Sequence, residues 1–395
     1  MDRVRCLLVR DPRVAAGGFE RWVETLAEGL PRLGIDVTVF VPGSASDVSL
    51  PSARVIPIAQ YADDVAQARA ILERCSELAA AGESGVFLTL GYHYLGIVSI
   101  NLLRSPWLPI PVVHGTYPGI VEWIAVGPPR RIVSVSAPFA DVLRDELANR
   151  VGAFRARGRV EVIENGVPLP PRRTRVAAAP YRIVCVTRLD EDMKRPMDYV
   201  AIAERIRAEN LPFTMTVIGG GPAEEKVRAA GRDVLQLRGV VPRDEVYREL
   251  AASDIFLIAS EAEASSLAVI EALGAGCAVI ASEHSINADV VRAGAAVSVR
   301  TGDIDGFIAA LRHFAEAPRE IDALGARARA YAEQHYSAGA MLERYAATIR
   351  RVGRHAAPRR DWRAPMFAKP ADALPRTFAG RLRNRGAGIL ERFTT

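Results

Sequence analysis

No run of apolar residues in this chain approaches the roughly 18 needed to cross a bilayer, although nearly half of its 395 residues are hydrophobic. The N-terminus opens on a charged, strand-like segment where a signal peptide would place an uninterrupted apolar stretch, so a cytoplasmic protein is expected. Cysteine is scarce: Cys6, Cys75, Cys185 and Cys277 lie far apart, with no C-x-x-C spacing and no histidine close by. Three of them sit in apolar strand-like runs, and all four read as buried thiols rather than as metal ligands or a disulfide framework. A complete G-x-G-x-x-G is missing as well. Ile218-Gly219-Gly220-Gly221-Pro222 closes a strand-like run, but the position three after Gly221 is Glu224, which speaks against a dinucleotide-dependent dehydrogenase. A quarter of the residues are charged and the net charge is +5. Residues 351–395 hold eleven Arg/Lys against three Asp/Glu, an excess of +8, so the first 350 residues sum to −3. The basic character belongs to the tail, and nothing points to a nucleic-acid partner.

The length suits two domains of about 100 to 200 residues each. Val4 to Val9 reads as a strand, followed by a glycine pair and a helix whose apolar positions are Phe19, Trp22, Val23, Leu26, Leu30 and Leu33, stopped by Gly34. Strand-like runs return at 35–41, 86–90, 110–114 and 131–135. Residues 168–180, with four prolines and three arginines, break the pattern and read as a linker. A second series then places strands at 182–187, 213–218, 234–238, 254–259, 277–281 and 295–299, and helices run from about 303 to 352. Strand and helix in alternation predict an α/β architecture of two Rossmann-like domains facing each other across a cleft. The expected division is 1–168, a linker at 169–180, 181–335, a helical segment at 336–352 packing back on the first domain, and a basic tail at 353–395.

Three segments carry chemistry. In Thr187-Arg188-Leu189-Asp190-Glu191-Asp192-Met193-Lys194 a strand ends and its loop carries an arginine fork and a lysine point charge, a pair suited to a diphosphate. An ordinary solvated loop is the bland alternative. Glu271 is the only charged residue between 264 and 282. A carboxylate among Leu267, Ile270 and Leu273 costs several kcal/mol unless it is satisfied, and a ribose or hexose diol satisfies both its oxygens. A neighbouring backbone group or arginine would do so too. The helix containing it begins near Ser265, and its free N–H groups favour a phosphate. Gly17 and Gly18, between the first strand and first helix, permit close backbone approach to a ligand.

In this order the segments resemble the retaining family 4 glycosyltransferases (glycosyl transferases group 1) of GT-B fold, over about residues 3 to 335. The most specific elements are Glu263 and Glu271 spaced by seven residues and followed by Ala-Leu-Gly-Ala-Gly, and the Arg188 to Lys194 spacing. The resemblance implies that Arg188 and Lys194 grip the donor diphosphate, Glu263 contacts the transferred sugar and Glu271 the nucleotide ribose. It further implies that backbone at Ser265, Ser266 and Leu267 holds the distal phosphate, that Gly17, Gly18, Gly219 and Val241 line the donor site, and that His114 stands beside the sugar. Tyr92, His93, Tyr94, Tyr117 and Glu122 are the acceptor-side candidates. Three positions depart from the family pattern: Ala264-Ser265-Ser266 where glycines are usual, Arg195 where a glycine commonly follows the lysine, and Pro168 where an aspartate commonly follows Asn165-Gly166-Val167.

The expected activity is retaining transfer of a hexose-type sugar from a nucleotide diphosphate sugar, UDP- before GDP-, to a hydroxyl of a glycan, lipid-linked or small-molecule acceptor. No metal and no cofactor is implied, the nucleotide sugar being a substrate. Asp190-Glu191-Asp192 formally matches a metal-binding D-x-D, but it shares its loop with Arg188 and Lys194. A sugar-nucleotide epimerase and a non-catalytic nucleotide-sugar-binding protein are the competing readings. In the tail, Phe378, Leu382, Ile389 and Phe393 share a helical face among arginines, which suits peripheral binding to anionic membrane. Three interspersed glycines argue against a stable helix there, and a plain disordered basic tail is an equal alternative.

Overall fold

A computed structural model of the chain describes residues 4–11, 18–44, 48–89, 93–102, 105–114, 129–152, 158–261, 263 and 265–365. The chain divides into two compact units, Met1–Ile163 with Leu342–Thr395, and Glu164–Met341. In the first unit the described strands are β1 (Val4–Val9), β2 (Ile35–Pro42), β3 (Arg54–Ile58), β4 (Gly85–Thr89), β5 (Trp107–Val113), β6 (Ile132–Ser134) and β7 (Val160–Val162). They form one sheet in the order β3-β2-β1-β4-β5-β6-β7, and every pairing is parallel. The second unit contains β8 (Tyr181–Val186), β9 (Phe213–Ile218), β10 (Gln236–Leu237), β11 (Ile255–Ile258), β12 (Ala278–Ser282) and β13 (Val297–Val299), again all parallel, in the order β10-β9-β8-β11-β12-β13.

Both faces of the second sheet are buried, as parallel sheets require. Ile183, Cys185, Leu257 and Ile280 pack into one core cluster, while Val184, Phe256, Ile258 and Val279 pack into the other. That division is the two-residue period of a strand repeated across β8, β11 and β12. The order reverses at β8, which pairs with β9 on one side and β11 on the other. Ligands of open α/β sheets bind outside the strand ends at such a point. The four cysteines are free and buried, and burial raises each thiol, Cys277 to about 12.

Two expectations need correction. The apolar face from Phe19 to Leu33 is not one α-helix. The helix ends at Gly29 and Leu30–Leu33 is a 3-10 turn, because Pro31 has no N–H to continue the ladder. Gly34 then closes it at φ 76°, its N–H reaching the Leu30 and Pro31 carbonyls.

The proline- and arginine-rich stretch 168–180 lies inside the second unit, not between the two. Arg173, with a side chain 5% exposed, bonds Asp254 at 3.1 Å and Asp322 at 2.6 Å, and Asp254 is fully buried. The Asp254 carboxylate also accepts from the Arg182 N–H at 2.9 Å and stands 3.3 Å from Arg175. This segment is therefore clamped to the unit by a buried ion network. The chain leaves the second unit at Met341 and joins the first at Leu342, partway along the helix Ala338–Gly353. Thr348 bonds Glu161, Arg344 the Val162 carbonyl and Arg350 the Leu33 carbonyl. Trp362, beyond that helix, is buried in the same core cluster as Trp107. No helix among the described residues is long and apolar enough to cross a membrane.

Candidate functional site

At the switch point of the second sheet the strand ends are built with backbone as close as it can come. Beyond β8 the ladder continues, Thr187 N–H to the Ile218 carbonyl and Leu189 N–H to the Gly220 carbonyl, both at 3.0 Å. Gly219 lies at φ 138° with the Thr187 carbonyl where a Cβ would be, and Gly221 at φ 153° with the Leu189 carbonyl 2.5 Å from that position. These glycines are needed for contact with residues 187–189, and Gly219 N–H bonds the Gly239 carbonyl at 2.9 Å. Gly219, expected to line the donor site, thus first serves with Gly221 to fix the Arg188 loop.

Arg188 is exposed on that loop and pairs with Asp190 at 2.7 Å. Asp190 is already committed: its other oxygen caps the short helix Glu191–Lys194 by accepting from the Asp192 N–H at 3.1 Å. This accounts for the D-x-D match as a helix start. Among the described residues, no group of three or more His, Cys, Asp or Glu is placed to hold a metal ion. Arg195, where the family pattern has glycine, sits at φ 45°, the left-handed region that favours glycine. Its side chain holds the position by bonding Asp198 at 2.7 Å and Glu261 at 3.0 Å.

Lys194 and Glu263, 69 residues apart, are brought together at 2.6 Å. Their side chains are 17% and 16% exposed. Ser260 also donates to the same Glu263 oxygen at 3.1 Å, and the Glu263 N–H bonds the His284 carbonyl at 2.9 Å. A backbone bond from Glu261 N–H to the Met193 carbonyl, 2.9 Å, ties the loop after β11 to the helix ending in Lys194. Lys194 has three hydrogens and gives one to Glu263, so two remain for a ligand oxygen.

The helix Leu267–Ala275 starts two residues later than expected, with Ser266 as its N-cap in extended conformation (φ −69°, ψ 111°). Ser266 makes no side-chain capping bond, although serine at this position normally satisfies a first-turn N–H. The first intrahelical bond is Ile270 N–H to the Ser266 carbonyl at 3.1 Å, so the N–H groups of the first turn and the positive end of the helix dipole are uncapped by serine. Ser265 is half-buried beside it.

Glu271 lies one turn into this helix and is fully buried. Tyr247 donates toward its Oε1 at 3.3 Å and Arg243 stands 3.6 Å from the same oxygen. Neither residue was anticipated. Their i, i+4 spacing on the helix Arg243–Ala252 is visible in the sequence, with the guanidinium 4.9 Å over the ring, but the link to Glu271 is not. Val241, two residues before Arg243, is half-buried against the same core cluster, while Val240 is 82% exposed.

In the first unit, His114 ends β5 with its ring edge-on to Phe19 (5.1 Å between centroids) and Trp22 (4.7 Å). Its Nε2 is buried without a hydrogen-bond partner among the described residues, and burial lowers its pKa from 6.5 to about 3. The imidazole is therefore neutral near pH 7, able to hydrogen-bond but not to supply charge. Tyr94 is a correction: it is 3% exposed, packs in the core and donates to Asp11 at 3.0 Å, so it presents no acceptor-facing surface. His93 opens the helix His93–Asn101 and Gly18 opens the first helix, exposed. Gly17, Tyr92, Tyr117 and Glu122 lie outside the described residues.

Comparison with known proteins bears on the fold. Solved structures share the fold over most of the chain. A sucrose-phosphate synthase from Thermosynechococcus elongatus superposes with a TM-score of 0.71 at 17% identity, covering 89% of this chain and 99% of that one. Anabaena HepE, solved in complex with UDP and glucose, gives 0.67 at 12% identity, covering 88% and 100%. The two Rossmann-like units are thus the GT-B fold of glycosyltransferases. More particularly, residues 180–317 match the family of glycosyl transferases group 1. The MMP α-(1→4)-mannosyltransferase of Mycolicibacterium hassiacum is 24% identical over 247 residues, 60% of this chain. The chain spans 58% of the length of that relative.

Proposed function

We propose that the chain is a retaining glycosyltransferase that moves a hexose-type sugar from a nucleotide diphosphate sugar to a hydroxyl of a glycan, lipid-linked or small-molecule acceptor. One observation carries the reading: the strand ends of the second unit present Arg188, the Lys194–Glu263 pair and a helix start that Ser266 does not cap, with a buried carboxylate one turn further in. The group 1 match covers these residues, and a mannosyltransferase and a UDP complex among the similar proteins fit a sugar donor of this kind. UDP ranks before GDP.

Breaking the bond between anomeric carbon and phosphate oxygen leaves positive charge on the sugar and negative charge on the diphosphate. Arg188, the two remaining Lys194 hydrogens and the first-turn N–H groups of Leu267–Ala275 are positive groups fixed before the donor arrives, the arrangement that stabilises a developing anion most effectively. No metal is then required. Glu263 holds the sugar hydroxyls and Glu271 the ribose diol. The acceptor hydroxyl attacks from the face the phosphate leaves; its oxygen bonds the anomeric carbon and its proton passes to a phosphate oxygen, with no covalent enzyme intermediate. His114 contributes as a neutral hydrogen-bonding group beside the sugar.

The basic segment from residue 353 adds peripheral binding to anionic membrane. Because Trp362 is a core residue, the truncation that tests this ends at residue 365. Equal sedimentation of the two forms with anionic vesicles would remove the membrane role. For the activity itself, a thermal-shift panel of UDP-, GDP- and ADP-sugars is the test, since a ligand of the native state raises the melting point. A response to a uridine nucleotide above the others is expected, and none to any of them would sink the proposal.

A further inference from the structure

The buried Glu271 carboxylate is served by a tyrosine with one proton and two acceptors. The Tyr247 oxygen lies 3.3 Å from Glu271 Oε1 and 3.2 Å from the Pro168 carbonyl. Arg243 donates into the same phenolic oxygen from Nε at 2.8 Å and from a terminal nitrogen. A phenol has a single hydrogen to give and two lone pairs to receive with. The guanidinium fills the lone pairs and fixes the oxygen in place. The one O–H then serves Glu271 or Pro168, never both. Choosing between them takes only a rotation about the C–O bond, without movement of the ring.

We propose that Tyr247 is an exchangeable donor: it serves Glu271 while the nucleotide site is empty and turns to the Pro168 carbonyl when a ribose hydroxyl takes its place. This rests on the reading of Glu271 as the ribose ligand. Its consequence is a coupling of defined sign. A donor that supports the empty protein but is released on binding competes with the nucleotide, so Tyr247 holds nucleoside affinity down while it holds unliganded stability up. A tyrosine that merely supported the fold around Glu271 would raise both, and one that touched the ribose would raise affinity.

The substitution Tyr247→Phe keeps the ring beneath Arg243 and removes the proton. Titration of the full chain with UDP and with inorganic pyrophosphate reads the coupling. UDP is expected to bind about three- to tenfold more tightly to the variant, the difference between a hydrogen bond to a carboxylate and one to a carbonyl, with pyrophosphate affinity unchanged and the unliganded melting point lower. Unchanged or weaker UDP binding overturns the proposal. Glu271→Gln then separates the two ideas: weaker UDP binding in it keeps the ribose reading and removes only the exchange, whereas unchanged binding removes both. Should Tyr247→Phe not fold, wild-type crystals with and without UDP decide. The exchange requires the Tyr247 to Glu271 contact to be lost and the Pro168 contact kept in the complex, and a retained Glu271 contact overturns it.

Discussion

The two units share a plan, a parallel sheet whose strand order reverses at a central strand, but they furnish their strand ends differently. In the second unit those ends are ionic and already engaged with each other: Arg188 with Asp190, Lys194 with Glu263, Glu271 with Tyr247 and Arg243. In the first unit the described strand ends carry Arg10 paired with Glu24, the buried Asp11 bonded by Tyr94, and a neutral imidazole set among aromatic rings. The lesson concerns the division of labour. A diphosphate demands positive charge fixed in advance, which the second unit displays in Arg188, Lys194 and a helix start, while a sugar demands hydroxyl contacts that an uncharged histidine can supply.

The largest expected effect tests what builds the second unit. Asp254→Ala takes from buried Arg173 one of its two carboxylate partners and from Arg175 and the Arg182 N–H theirs, and is expected to cost about 3–5 kcal/mol, read as a lower urea midpoint for that unit's transition. A loss under about 1 kcal/mol, the scale of a surface pair, would show that residues 168–180 are not held by this network.

Next comes the charge itself. Arg188→Ala and Lys194→Ala are each expected to lower turnover about hundredfold or more, the scale for removing one fixed stabilising group, with little change in unfolding midpoint. Near-wild-type turnover in both would erase the contrast between the units.

A smaller effect sharpens the first unit's side. The folded His114 pKa, about 3, lies below the ordinary 6.5. Its contribution to stability is therefore complete above about pH 6.5 and is lost as pH falls toward 3, with a slope no steeper than about 1.4 kcal/mol per pH unit. His114→Phe should flatten that part of the stability curve relative to wild type, and parallel curves would show that the histidine is not buried neutral. Smallest is Arg195→Gly. Relief of the left-handed backbone offsets loss of the Asp198 and Glu261 bonds, so a change within about 1 kcal/mol is expected; a larger loss would make those bonds the reason arginine stands there.

Much of this architecture is readable in the residues alone, and the exceptions have physical causes. β8, β9, β11 and β12 are apolar runs that stand out by composition, as do the glycine-terminated helices. β3 escapes because Pro57 interrupts it and its pattern is half exposed, and β7 because three residues carry no period. The stretch 168–180 looks like a free linker because its partners, Asp254 and Asp322, lie 81 and 149 residues from Arg173. Glu263 and Glu271 stand out through spacing and through a lone charge in an apolar helix. Arg243 and Tyr247 do not, since a short-range pair on an amphipathic helix looks like any solvated face until Glu271 folds against it. Tyr94 misleads in the opposite direction: a polar aromatic near a strand end looks like a ligand contact, yet its hydroxyl is satisfied by Asp11 within the core.

The most direct measurement is the position of bound UDP in a crystal of the full chain. The pyrophosphate should lie against Lys194, Arg188 and the first-turn amides of Leu267–Ala275, with the ribose hydroxyls on Glu271. Density for UDP at any other place, with Lys194 and Glu271 still held only by protein groups, would contradict the account.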